Sequence, residues 1–307
     1  MFYILRCFNS VFVVPVHALA LIHLIVVLMI SACSGGDTSA DTDTLPEDET
    51  GSDEDTIESD GTDPASMTEF HILSAYYGLD ALPAGATLLC GTPVTGEDGM
   101  PVVFSVRLDE STVSPESFAV ETASGDLVTP ICATLNPAVE PLERRTVLLA
   151  GPFGTPAAPP MSVRVVGALA DVDGNVLTGM QTDDIVELSA GPQLVLAERF
   201  EVDTPGLAGE CPVGTTQVVQ LTWEGGVSGP DGAMLGEPQR TGTSITLEND
   251  ESVTPLAIAD DDNDNHVLAC IDAPYPANSV TVAAGLFYDP GNDSNPETSI
   301  EVVPGVY

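Results

Sequence analysis

Short apolar runs with a period of two recur along most of this chain, and that spacing narrows its fold more than any other feature. Val102, Phe104 and Val106 alternate with Val103, Ser105 and Arg107. Similar runs follow at Phe118–Val120, Thr146–Ala150, Ser162–Val166, Gln193–Leu196, Gln217–Trp223, Ser244–Leu247, His266–Ile271, Ser279–Ala283 and Ser299–Val303. Gly, Pro, Asp and Asn separate them. In a strand, successive side chains point to opposite faces. Short strands between turn residues predict sandwiches or barrels. A 3.6-residue apolar period shows only over Ile72–Leu79. The fold class is therefore all-β, with two β-sandwich domains in tandem over residues 66–190 and 191–307.

The first 32 residues read differently. Arg6 is their single charge, the stretch His17–Ile30 is almost wholly apolar, and small residues lead to a cysteine in Ile30-Ser31-Ala32-Cys33. A basic start, an apolar middle and a small-residue exit describe an export signal. The four residues resemble the lipobox of bacterial lipoproteins. That resemblance implies cleavage before Cys33, acylation of its thiol and a lipid-anchored cell-envelope protein held to the membrane by those chains. Two or three acyl chains give stable anchoring where one does not. Serine at position 34 resembles the outer-membrane sorting signal of enterobacterial lipoproteins. The apolar stretch is also long enough for an uncleaved membrane helix. Both alternatives export everything after Cys33.

Residues 33–65 predict a disordered acidic tether. Twelve acids lie between Asp37 and Asp63, with no base and no aromatic residue. Such a segment buries too little apolar surface to fold. As a flexible coil it spans about 30 Å, and like charges extend it. Over the whole chain, 47 acids face 7 bases, a formal charge of −40, and no lysine occurs. This excludes lysine-based catalysis and a P-loop. It also excludes nucleic-acid binding, which needs cationic contacts to phosphate. The charge keeps the chain soluble and strains its compact state, a strain that cations relieve.

Part of the first half resembles bacterial immunoglobulin-like domains of S-layer and other surface proteins, over about Pro101 to Gly179. The strand Val102–Val106 is followed by a polar turn and then Phe118-Ala119-Val120. Later, Leu169-Ala170-Asp171-Val172-Asp173-Gly174-Asn175-Val176-Leu177 is similar to the family's closing hairpin. The Asp-Gly step suits a turn with positive φ. A Pro- and Glu-rich insertion between Cys132 and Arg144 departs from the pattern. The resemblance implies a sandwich fold and surface residence, and no reaction.

Four cysteines remain once Cys7 and Cys33 are set aside. In an exported chain an even number reads as disulfides. Of three pairings, the domain division favours Cys90–Cys132 and Cys211–Cys270.

The densest candidate site is Asp260, Asp261, Asp262, Asn263, Asp264 and Asn265. Calcium takes six to eight oxygen ligands, and such a loop supplies them. Asp261–Asn265 resembles the D-x-N-D-N linker motif of cadherins, although His266–Cys270 follows where a proline-containing strand start would stand. An EF-hand register fails, because its sixth and twelfth positions fall on Asn265 and Ile271. A second oxygen-rich turn carries Asp289 and Asp293 and could share the ion. The alternative is that both loops are solvated turns. Catalytic signals are thin. His71 and His266 form no metal-ligand spacing, and Gly226–Pro230 misses the nucleophile elbow. His266 beside Asp264 is half of a triad or an ordinary turn histidine. Together these features point to a non-enzymatic envelope module for binding, adhesion or structure, with a protein or envelope partner and calcium as its candidate ion. The alternative is an exported hydrolase or substrate-binding subunit with its site in the second domain.

Overall fold

The computed structural model describes residues 70–207, 209–259 and 264–307. The signal, Cys33, the tether and Asp260–Asn263 lie outside them. Among the described residues no helix is long and apolar enough to cross a membrane.

The first sandwich contains β1 (Ile72–Tyr76), β2 (Asp98–Phe104), β3 (Phe118–Glu121), β4 (Leu127–Val128), β5 (Cys132–Thr134), β6 (Thr146–Gly151), β7 (Ser162–Val165), β8 (Gln181–Thr182) and β9 (Ile185–Val186). One sheet has the order β5-β6-β2-β1-β9 and the other β4-β3-β7-β8. Met100, Val102 and Phe104 of β2 pack on Phe118, Val147, Leu149 and Phe153 between them. A one-turn helix, α1 (Ala86–Cys90), precedes β2.

The second sandwich contains β10 (Leu194–Glu201), β11 (Gln217–Trp223), β12 (Thr243–Leu247), β13 (Ser252–Val253), β14 (Ala257–Ala259), β15 (His266–Ile271), β16 (Ala277–Val282), β17 (Thr298–Glu301) and β18 (Val303–Pro304). Its sheets run β14-β15-β11-β10-β18 and β13-β12-β16-β17. Val219, Leu221 and Trp223 of β11 face the core, where the Trp223 ring lies 4.5 Å from Phe287. Both sandwiches belong to one compact unit.

Two disulfides staple the fold, Cys90–Cys132 and Cys211–Cys270, each with Cα atoms 5.7 Å apart. They close loops of 42 and 59 residues, each contributing about 4 kcal/mol in the chain-entropy account. The Asp171–Asn175 segment forms the expected turn. Gly174 takes φ 84°, and the Asp171 carboxylate accepts the N–H groups of Asp173 and Asn175.

Two elements differ from expectation. Ile72–Tyr76, with its helical apolar spacing, is a strand in the middle of its sheet. Ala75, Tyr76 and Tyr77 are consecutive and all buried, so both faces of the strand are covered and no alternation marks it. The strand expected over Gln193–Leu196 continues to Glu201. A register shift between Leu194 and Leu196 turns Leu194 and Ala197 to the core and leaves Glu198 and Phe200 on the opposite face.

That opposite face is where the sandwiches meet. Val218 and Leu268 alternate with core residues on β11 and β15, yet they too are fully buried. Leu142, from the Pro- and Glu-rich insertion, packs against them together with Phe200 and Leu207. The insertion is therefore one of the elements that dock the first sandwich on the second. Leu142 is 2% exposed, and truncating such a leucine leaves a cavity. The Leu142→Ala protein should lose about 3 kcal/mol of stability, measured by urea denaturation. A loss below about 1 kcal/mol would show that the insertion does not hold the junction.

Candidate functional site

The buried polar groups of this protein concentrate at the junction. On the face of β10, β11 and β15 turned away from the core, Glu198, Gln220, Thr222 and His266 are all nearly inaccessible. Burying a charge without a partner costs several kcal/mol, so each demands an explanation.

Arg145 answers Glu198. Its Nη2 donates to Glu198 Oε2 at 2.6 Å, and Nη1 donates to the Ser105 carbonyl at 3.2 Å. Side-chain exposures are 3% and 8%. Burial pushes the carboxyl up and the guanidinium down, and their attraction opposes both shifts. Arginine keeps its proton in proteins, so the short bond holds an ionised pair. Two further bonds cross the junction. The Asn265 amide donates to Thr146 Oγ1 at 2.9 Å and to the Trp223 carbonyl at 2.8 Å. The Tyr76 hydroxyl lies 2.6 Å from both Asp289 Oδ2 and the Ala190 carbonyl, with its single proton to share between the two acceptors. Burial, then the Asp289 carboxylate, raises the Tyr76 phenol far above its ordinary value. The connecting segment is clamped by the same bonds. A Cβ on its Gly191 would collide with the Ser294 carbonyl oxygen.

His266 is spent structurally. Its ring Nδ1 lies 3.3 Å from Thr222 Oγ1, and the Asp264 carboxylate takes the His266 main-chain N–H at 2.6 Å rather than the ring. Burial, assisted by the Arg145 charge, pushes its pKa down to about 3. Neutral at physiological pH and sealed from solvent, the ring is a poor half of a triad. Glu224, just after β11, goes the other way. Burial raises its carboxyl to about 7, while the Gln193 N–H that it accepts opposes the shift.

Beside these groups lies a cavity of about 360 Å³. Leu79, Leu82 and Leu89, around α1, form one wall, and Leu135 and Leu148 of the β5–β6 region form a second. Gly225, Gly226, Asn265 and Pro290 of the second sandwich close it. The Cys90–Cys132 bond ties α1 to β5, the two sides of the first sandwich that frame it.

Of the candidate ion ligands, Asp264 and Asn265 fall in this region, with Asp289 next to it. Asp260, Asp261, Asp262 and Asn263 lie outside the described residues. Asp264 and Asn265 line the cavity, and Pro290, beside Asp289, borders it from the second loop. Asp264, Asn265 and the second loop thus reach one place. Asp289 holds that second loop, its Oδ1 accepting the Asp293 N–H at 2.7 Å. Among the described residues, the carboxylates close enough to share an ion are Glu140, Glu143 and Asp264, within 4.8 Å of one another. Glu140 and Glu143 belong to the insertion. The sequence marks that insertion as Glu-rich, but not that it folds onto Asp264.

Comparison with known proteins gives no match: no family model fits the chain, and no curated protein is similar to it.

The Glu224 shift has a definite consequence for pH. Its folded pKa of about 7 exceeds the ordinary 4.5. The stability it contributes is therefore complete below pH 4.5 and lost as pH rises through 7. Replacing it with glutamine keeps an acceptor for the Gln193 N–H and removes the titration. Between pH 5 and pH 8 the Glu224→Gln protein should gain about 2 kcal/mol on the parent, measured by urea denaturation at both values. An equal difference at both would refute the assignment.

Proposed function

We propose that this chain is a lipid-anchored, non-enzymatic cell-envelope protein whose two sandwiches act as one rigid binding or structural module at the end of an acidic tether. The observation that carries the reading is the junction. Three polar contacts, Arg145–Glu198, Asn265–Thr146 and Tyr76–Asp289, are all buried and all cross from one sandwich to the other. Buried titratable groups often mark catalytic sites, and structural networks perturb pKa values as well. Here Arg145 and Glu198 are engaged in holding the sandwiches together, and His266 bonds within the second. Rigidity lowers the entropic cost of presenting a binding surface. Two disulfides fit an exported, oxidising setting.

The alternative is a substrate-binding subunit, and the apolar cavity favours it over the hydrolase reading. Both share the anchor on Cys33, the envelope location and the placement at the outer membrane by the Ser34 signal. Calcium is the proposed stabilising ion, at the loop 260–265 with Asp289 and Asp293 on the neighbouring turn.

Metabolic labelling with palmitate tests the anchor. Cys33 should take the label, and the Cys33→Ser protein should leave the membrane fraction. A Cys33→Ser protein that is still processed and still membrane-bound would overturn it. For calcium, the melting temperature should rise more with the divalent ion than with sodium at equal ionic strength. Equal shifts would reduce the loop to charge screening.

A further inference from the structure

We infer that the cavity between α1, the β5–β6 region and the second sandwich is a binding site for a small uncharged apolar molecule of two to three rings or an equivalent alkyl chain. The inference deepens the binding-module reading above and rests on it.

Three observations carry it. The first is size. At about 360 Å³ the cavity is two to three times the roughly 150 Å³ apolar cavity that takes up one benzene, and it lies in the ordinary range for ligand pockets. The second is the engagement of its polar groups. The Tyr76 hydroxyl is directed to Ala190 and Asp289. The Asn265 amide is directed to Thr146 and Trp223, and the Asn136 amide to Thr134 and Leu89. A water molecule needs two to four polar partners, and this lining offers few to it. Leucines and prolines form most of the remaining surface, so an apolar solute displaces water there at little polar cost.

The third is charge. Among the described residues no arginine borders the cavity, while Asp264 does, with Glu140 and Glu143 carboxylates within 4.8 Å of it. Asp289 stands behind Tyr76. An anionic head group would enter against these carboxylates in a chain of net charge −40. A fatty acid or a sulfonate is thereby disfavoured relative to a neutral molecule of the same shape.

Two fluorescent probes with one ring skeleton separate these terms: neutral N-phenyl-1-naphthylamine and its sulfonated counterpart, 8-anilinonaphthalene-1-sulfonate. The protein to titrate is the mature chain bearing Cys33→Ser, which keeps the tether and both sandwiches and carries no acyl chain to compete. The neutral probe should bind one per chain, and the sulfonate at least tenfold more weakly. Ala138→Phe and Ala86→Phe each place a ring at a buried cavity-lining position. Each should raise the neutral probe's Kd at least tenfold, with the far-ultraviolet circular dichroism unchanged. Should one variant fail to fold, the other decides. No binding of the neutral probe, equal binding of the sulfonate, or folded variants that bind like the parent would each overturn the proposal. Failure here leaves palmitate labelling of Cys33 untouched, and failure of labelling leaves this titration untouched, so the two readings fall separately.

Discussion

The Arg145–Glu198 contact sets the terms for the rest of the structure. A strand that carries Glu198 among Leu194, Ala197 and Phe200 is stable only if the carboxylate is answered, and the answer comes from 53 residues earlier in the chain. Once Arg145 is in place, the outer face of β10, β11 and β15 is buried rather than solvated. The apolar residues on that face, Val218 and Leu268, then find Leu142 beside the same arginine. Replacing a buried pair with apolar residues is often neutral, whereas removing one partner is costly. The pair therefore accounts for where the sandwiches dock more than for how strongly they do so.

Docking at that place has a consequence for the surface. The insertion covers the middle of the β10–β11–β15 face, while α1 and the turn after β11 stand at its edge. Between them the walls do not close, and the cavity is what remains. Three of its polar groups, Tyr76, Thr146 and Asn265, are the same ones that cross the junction. One arrangement supplies both the rigidity and the pocket.

Much of this was legible in the sequence, and the limits have physical causes. Alternation announced β12 and β16, because one face of each packs in a sandwich core and the other is more open. The Asp171–Asn175 turn followed from its Asp-Gly step, and the disulfide pairing from the division into two halves. The strand Ile72–Tyr76 was hidden because both of its faces are buried, which erases the period of two. The second half of β10 was hidden because Glu198 looks like a surface residue until Arg145 is known to face it. Leu142, Glu140 and Glu143 stood out only as an insertion that broke a pattern. The cavity was invisible because its leucines lie on separate segments, and only tertiary contact brings Leu82, Leu135 and Leu148 to one space.

The central claim is that the junction makes the two sandwiches one cooperative unit. Scanning calorimetry on the mature chain bearing Cys33→Ser tests this most directly, since two-state unfolding requires the calorimetric and van't Hoff enthalpies to agree. A single transition with equal enthalpies is the predicted result. Two resolved transitions, one for each sandwich, would contradict it.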